Sequence, residues 1–378
     1  MPFSEVSIVD QREEMARLAS QPGANVRLLS RRFQVSPTTV YEWLKRYRER
    51  GREGLIDLSR RPHQSPWRSG PQVEEAVLSL RQEHRAWGAR KIRRRLQDKA
   101  VPDVPAASTV HAILVRHGQI DPREAARHRP YQRFEHDAPN CLWQMDFKGH
   151  FATEAARCHP LTVLDDHSRF AVGLQACPDQ QTETVKDRLT DIFRRYGLPQ
   201  RMTMDNGSPW GSHADHRFTP LTVWLMRLEI RVSHSRPYHP QTQGKDERFH
   251  KTLGLELLQN HCFRNLAEVQ QRFDDWRHLY NLERPHEALA LDVPASRYQP
   301  SARSFPESLP PILYESTDIV RKVQQGGEIW LRGQPVKIGN AFYGHHVALR
   351  PSPLDDGLLV FFSRQQIAKI SLKPPEAA

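Results

Sequence analysis

Apolar residues recur at helical spacing from about residue 5 to 50, and the pattern divides into three helices. The first, through Met15 and Leu18, ends at Gln21-Pro22-Gly23-Ala24, and the second is short and carries Leu28, Leu29 and Phe33. Ser36-Pro37 supplies an N-cap and a first-turn proline for the third. That helix sets Val40, Trp43, Leu44 and Tyr47 on one face and Thr38, Thr39, Glu42, Lys45, Arg46 and Arg48 on the other. Two short helices joined by Gln34-Val35-Ser36, the second polar and basic outside, match helix-turn-helix geometry. After a linker at 60–71 rich in proline, arginine and small polar residues, the helical period returns. Residues 71–84 carry Val73, Val77 and Leu80, residues 88–96 are strongly basic, and Ser108 is placed to cap a helix containing Val110, Ile113 and Leu114. This reads as a second helix-turn-helix-like module with a longer turn, whose Arg90 and Lys91 face DNA.

From about residue 136 the pattern changes. Short apolar runs at 141–147, 161–164, 170–176, 201–204 and 230–233 read as strands. Helical stretches lie at 182–196, 221–228 and from near Glu247 to about 259, which suits a mixed α/β sheet with helices packed on it. Beyond about 312, short strands at 326–331, 334–339, 345–350 and 358–363 sit between glycines and turns and resemble a small β-barrel. The expected organisation is a multidomain α+β chain with boundaries at 1–60, 61–130, 131–305 and 306–378.

Charge divides the chain differently. The net charge is +11, and residues 1–133 hold 26 Lys and Arg against 15 Asp and Glu, while the rest carry 29 of each. The whole basic excess lies in the first third, where it favours a polyanion such as double-stranded DNA. The four cysteines are far apart without a C-x-x-C, so neither a disulfide scaffold nor a zinc ribbon is indicated. His213 and His216 are better read as part of a polar loop than as a metal pair. No signal-like N-terminus and no apolar run near 20 residues is found, which makes a cytoplasmic setting the default.

Three acids stand out against this background. Asp146 interrupts the apolar run Cys141-Leu-Trp-Gln-Met-Asp-Phe147, Asp205 follows Arg201-Met-Thr-Met and precedes Asn206-Gly207, and Glu247 lies in Pro237-Tyr-His-Pro-Gln-Thr-Gln-Gly-Lys-Asp-Glu-Arg-Phe-His250. A carboxylate in an apolar strand is costly unless a cation or hydrogen bonds compensate it. Convergent carboxylates find that compensation in a divalent metal, and their oxygens suit Mg²⁺. On a helix, Asp246 lines up with Phe249, Leu253 and Leu257, while Glu247 shares a face with Lys251, Gly254 and Leu258. Helix geometry alone leaves both acids open as the third carboxylate.

Trp143-Gln-Met-Asp146, Val163-Leu-Asp-Asp-His-Ser-Arg169, Asp205-Asn-Gly207, Pro240-Gln-Thr-Gln-Gly-Lys-Asp-Glu247 and Tyr280-Asn-Leu-Glu-Arg-Pro-His-Glu-Ala288 together resemble the signature segments of the integrase core. The chain is similar over essentially its whole length to bacterial insertion-sequence transposases of the retroviral-integrase-like, D-D-E class, nearest the group that encodes its transposase in one reading frame. The resemblance implies an RNase H-like core with a five-stranded mixed sheet. It also implies Asp146 on the first strand bridging two Mg²⁺ (Mn²⁺ can substitute), with Asp205 and Glu247 each holding one, the ions roughly 4 Å apart. The family spacing selects Glu247 over Asp246. Lys251, one turn on, is expected to hold a DNA phosphate. Many relatives carry a basic residue two turns after the glutamate where this chain has Gly254, and the interval from Asp205 to Glu247, 42 positions, exceeds the family's commonest one. Asp165 and Asp166 are expected to shape a β-turn and not to bind metal. Arg284 and His286 are expected to stabilise a turn under the active-site helix.

The activity this implies is transposition. The protein would bind the element's terminal inverted repeats through Thr38, Thr39, Lys45, Arg46, Arg90 and Lys91, cut to expose 3′-hydroxyls and join them to target DNA, as a homo-oligomer that pairs two ends. A catalytically silent or domesticated DNA-binding regulator is the alternative, against which the complete set of three acids argues.

Overall fold

The computed structural model describes residues 7–58, 68–120, 135–211, 218–234, 244–354 and 356–371. Most of the linker, His213, His216 and residues 237–243 lie outside them. The chain forms two compact units, Met1–Arg68 and Ser69–Ala378. Among the described residues no helix is long and apolar enough to cross a membrane.

The first unit holds α1 (Ile8–Ala19), α2 (Val26–Arg32) and α3 (Pro37–Arg50). Each begins at a side-chain cap in extended conformation: Ser7, Asn25 and Ser36 accept from the backbone N–H of Asp10, Leu28 and Thr39. Met15, Leu29, Val40 and Leu44 close its core. Leu28 is exposed, because a helix of two turns buries one narrow stripe and Leu29 occupies it. Two guanidinium groups approach the Trp43 ring, Arg12 at 4.0 Å and Arg46 at 4.3 Å from its centre.

The second unit opens with α4 (Pro71–Glu83), α5 (Ala89–Asp98) and α6 (Ala107–Arg116), packed around Val77, Trp87, Ile92, Val110 and Leu114. Ser108 does not cap α6. Ala106, extended at ψ 153°, occupies the cap position without a side-chain hydrogen bond, and Ser108 falls inside the first turn.

A mixed sheet follows: β1 (Trp143–Phe147), β2 (Phe151–Ala152), β3 (Arg157–Asp165), β4 (Ala171–Cys177), β5 (Arg201–Met204) and β6 (Arg231–His234). Its main order is β4-β3-β1-β5-β6, with two-residue β2 paired to the start of β3 as a sixth strand beyond the five expected. β1 is antiparallel to β3 and parallel to β5, and β5 is parallel to β6. One face is covered by α7 (Thr182–Tyr196) and α8 (Pro220–Arg227) through Val185, Leu189, Phe193, Leu221 and Leu225. The other is covered by α9 (Gly244–Glu256) and α10 (Leu266–Leu282), with Phe249, Leu253, Phe273 and Trp276 against Leu164 and Leu174. Burial of each such side chain contributes about 1.5–3 kcal/mol, which is what holds α9 at its place on the sheet. Gly197 stops α7 at φ 76°; a Cβ there would lie 2.6 Å from the carbonyl oxygen of Ser301, so the crossing chain requires glycine.

The C-terminal part holds β7 (Ile319–Lys322), β8 (Glu328–Leu331), β9 (Gln334–Lys337), β10 (His346–Pro351), β11 (Leu358–Phe362) and β12 (Gln365–Ile370). In place of the single small barrel expected, they form a four-stranded antiparallel sheet, β12-β11-β10-β7, and a separate hairpin, β8-β9. Both close on Ile329, Phe342, Val347 and Phe362, which are continuous with the apolar layer under the core sheet.

Candidate active site

Two adjacent parallel strands and one helix carry the three acids. Asp146 is the fourth residue of β1, Asp205 immediately follows β5, and Glu247 lies in the first turn of α9. Parallel pairing of β1 with β5 through Trp143–Met202 and Gln144–Thr203 brings the ends of both strands to the same edge of the sheet. Phe147 stacks on Trp210 at 5.3 Å, which holds the chain after Asp205 beside the end of β1. Asp205 Oδ1 accepts from the Gly207 N–H at 3.0 Å, a turn closed on its own carboxylate.

Electrostatics show that the acids feel one another. Burial, then the negative charge of Asp205, push the Asp146 carboxyl up to about 6; Glu247 adds to this, against one hydrogen bond from the Phe147 N–H. Three carboxylates on three elements, one already costly to ionise, form a donor set of oxygens that fits a divalent cation. Among the described residues no three His, Cys, Asp or Glu side chains are gathered tightly enough to hold an ion between them. The match to Mg²⁺ is thus one of donor type and charge, with Asp146, Asp205 and Glu247 as the residues that would hold it.

The helix places the two neighbours differently. Asp246 is 1% exposed and neither of its oxygens has a hydrogen-bond partner among the described residues, whereas Glu247 is exposed. Burial, and then the charges of Asp146 and Asp166, hold the Asp246 carboxyl well above the usual range. Asp246 therefore goes with the apolar stripe of Phe249 and Leu253, and Glu247 is the acid offered to solvent. Asp165 and Asp166 are tied up in structure. Asp165 accepts from the Asn140 and Ser168 N–H groups and the Ser168 hydroxyl, and Asp166 from Gln144, the His136 N–H and Lys245.

One part of the site escaped the sequence reading. Thr162 faces Asp146 across the β1–β3 pair and is fully buried; its hydroxyl donates to the Asp146 carbonyl at 2.9 Å and lies 2.8 Å from His250 Nε2. A hydroxyl has one proton, so His250 Nε2 is the donor to Thr162 and Nδ1 is bare. Nδ1 stands 4.0 Å from Asp146 Oδ2, and burial together with the charge of Lys148 pushes His250 down to about 4, so this approach is not an ion pair at neutral pH. Thr162 and His250 join β3, β1 and α9 where the acids meet. The available signal was the position of His250, one turn after Glu247.

Beneath α9 the expected turn is present: Arg284 Nε donates to Glu256 Oε1 at 2.9 Å, with both side chains buried, and Trp276 Nε1 donates to Glu256 Oε2 at 3.2 Å. Arg284 also stands 3.3 Å from His286.

The residues expected at DNA fall into two groups. Thr38, Lys45, Arg90 and Lys251 are exposed, with Lys45 4.0 Å from Glu49 on the next turn. Thr39 is half-buried with its hydroxyl 2.8 Å from that of the capping Ser36. Arg46 is stacked on Trp43 and donates to the Ile56 carbonyl at 2.9 Å, so its guanidinium is used inside the first unit. Lys91 is half-buried, and burial first and the Arg284 charge second push it down to about 8. Its neighbours on α5 follow, Arg94 to Asp292 at 3.1 Å and Arg95 to Glu283. This side of α5 docks on the chain after α10.

Comparison with known proteins agrees with this layout. Two integrase core domain models match residues 136–240 and 228–294, and the model of the IS481 family transposase C-terminal domain matches 318–377. A helix-turn-helix domain model matches residues 11–63 and a homeodomain-like domain model 39–114. The chain is 27% identical over 227 residues to an uncharacterized 39.2 kDa protein of insertion element IS476 from Xanthomonas euvesicatoria, covering 58% of this chain and 62% of that one. It is 28% identical over 158 residues to an uncharacterized 31.7 kDa protein of insertion element IS407 from Burkholderia multivorans, covering 42% and 55%. The matches thus span somewhat over half the length of these relatives. Among solved structures, a chain of the simian T-cell lymphotropic virus intasome in complex with a PP2A regulatory subunit aligns at 15% identity and a TM-score of 0.37, covering 79% of this chain and all of that one. The catalytic core of BIV integrase aligns at 21% identity and a TM-score of 0.31, covering 42% and 92%.

Proposed function

From a chain that carries helix-turn-helix domains, an integrase core domain and the C-terminal domain of IS481 family transposases, we propose a DNA transposase with Asp146, Asp205 and Glu247 as its catalytic acids. The observation that carries this reading is the electrostatic convergence of these acids from β1, β5 and α9 at one edge of the sheet. Mg²⁺ held there, or Mn²⁺ in its place, supplies activation of a nucleophilic oxygen and neutralisation of the leaving 3′-oxygen. The protein's own part is to hold three carboxylates on rigid elements: α9 is pinned by its apolar face, and β1 by its partners on both sides. Thr162 and His250 fix the distance between strand and helix. Thr38, Thr39, Lys45, Arg90 and Lys251 are proposed DNA contacts, positioning the duplex through phosphates and groove edges.

In this reading the protein binds element ends, cleaves to expose 3′-hydroxyls and transfers them to target DNA, with two copies or more pairing two ends in the bacterial cytoplasm at the nucleoid. The first two domains are proposed at 1–60 and 61–130, the core at 131–305 and the C-terminal domain at 306–378. The test uses labelled duplexes carrying the inverted repeats that flank the gene, beside scrambled duplexes. Mg²⁺-dependent cleavage confined to the element ends supports the proposal. Equal cleavage of scrambled duplexes makes the protein a general nuclease, and specific binding without cleavage makes it a silent regulator.

A further inference from the structure

The residue just past β1 is a lysine. Lys148 is half-buried, and its backbone N–H donates to the Pro160 carbonyl at 3.0 Å, so the position of its backbone is fixed. Its side chain does not run out to solvent. It lies against α9 over Gly254, where an added Cβ would stand 3.7 Å from Lys148 Cε and 3.9 Å from Nζ. Gly254 is seven residues after Glu247, two helical turns, and so lies on nearly the same face about 10 Å further along the axis. Any long side chain at 254 would occupy the place that the ammonium takes. Side chains alternate along a strand, so Lys148 continues the side of β1 from which Asp146 projects.

Among the described residues this ammonium forms no ion pair or hydrogen bond. A structural lysine tucked against a helix would be expected to meet a carboxylate or a helix C-terminal carbonyl. An ammonium without a partner among the described residues, held two helical turns from Glu247 on nearly the same face of α9, calls for an anion adjoining the one that reacts at the carboxylates.

We propose that Lys148 is a DNA-binding residue: laid across Gly254 on the Glu247 face of α9, its ammonium holds a phosphate of the strand next to the one at the carboxylates. The proposal rests on the reading of the carboxylate site as one that acts on DNA. Glycine at 254 is then part of the device, because it leaves the helix surface open for a cation supplied by the strand.

The experiment measures equilibrium binding of the full chain to a labelled blunt duplex of arbitrary sequence across a salt series. Mg²⁺ is present, in a Glu247→Gln background that leaves the duplex intact. Losing one phosphate contact lowers the slope of log affinity against log salt by about 0.9, so the gap to the parent widens about eightfold for each tenfold dilution of salt. Lys148→Ala and Lys148→Gln should both show this loss, and Lys148→Arg should keep the parent slope. Adding Gly254→Lys to Lys148→Ala should restore it from the helix side. Circular dichroism confirms that each variant is folded; should Lys148→Ala not fold, Lys148→Gln carries the same comparison. Parental slope and affinity in the folded neutral variants overturn the proposal while leaving the DNA reading intact. A parent that binds no duplex even at low salt overturns the DNA reading and this proposal with it.

Discussion

Among the three proposed catalytic acids, Asp146 is the one whose carboxyl is clearly raised, and this has a pH signature. Its carboxyl is raised to about 6 by burial and by two neighbouring acids, so the folded chain binds that proton more tightly than the unfolded chain does. Stability from this group is therefore present at low pH, falls as pH rises from about 4 to about 6, and levels off above, by up to about 3 kcal/mol. Without divalent metal, Asp146→Asn should melt above the parent at pH 7.5, with the gap closing near pH 4. Mg²⁺ should narrow the gap at pH 7.5 by stabilising the parent alone, because ligand binding adds to the stability of the state it selects. A melting temperature for the Asp146→Asn variant at or below the parent's under metal-free conditions contradicts the account. Lys91 gives a second test at this scale. Its ammonium is half-buried with the Arg284 charge nearby, which disfavours a contact with an outside phosphate. Lys91→Met should leave DNA binding unchanged and hold or raise the melting temperature; a loss of affinity matching that of Arg90→Ala would restore Lys91 to the interface.

Helix α9 is the element on which the site depends, since it brings Glu247 to strands it does not neighbour in sequence. Its far end is fixed by the buried pair Glu256–Arg284, supported by Trp276. Removing one member of such a pair leaves an uncompensated buried charge, and Arg284→Ala should cost about 3–5 kcal/mol in thermal or denaturant unfolding. An effect under about 1 kcal/mol would mean that the pair is solvated and that α9 is held by its apolar face alone. The α9 stripe could be read in the sequence because Asp246, Phe249, Leu253 and Leu257 recur at helical spacing, and α7 because Gly197 ends it. β7 could not: Ile319, Val320, Arg321 and Lys322 are all exposed, so no alternation marks the strand. β2 is two residues long and exists only through the pairing of Phe151 and Ala152 with β3. The link from Thr162 to His250 joins residues 88 positions apart, and only strand register reveals it.

At the scale of the whole molecule, the uneven charge observed along the chain acquires a more particular form. Among the described residues, not all of the basic side chains of residues 1–133 are left for an outside partner. Some serve architecture, Arg46 on Trp43 in the first unit, and Arg94 and Arg95 on acids after α10 in the second. Exposed Thr38, Lys45 and Arg90 remain for an outside partner. If Asp146, Asp205 and Glu247 form one metal-dependent site acting on DNA, strand transfer depends on all three and on the metal. Labelled duplexes bearing the element ends are incubated with a target plasmid, with Mg²⁺ or EDTA, and with the parent, Asp146→Asn or Glu247→Gln chain. Joined products are expected for the parent with Mg²⁺ alone, with a loss of at least about a hundredfold in each folded variant, the scale on which removal of one transition-state contact is felt. Joined products of equal yield from either variant, or from the parent in EDTA, would contradict that dependence.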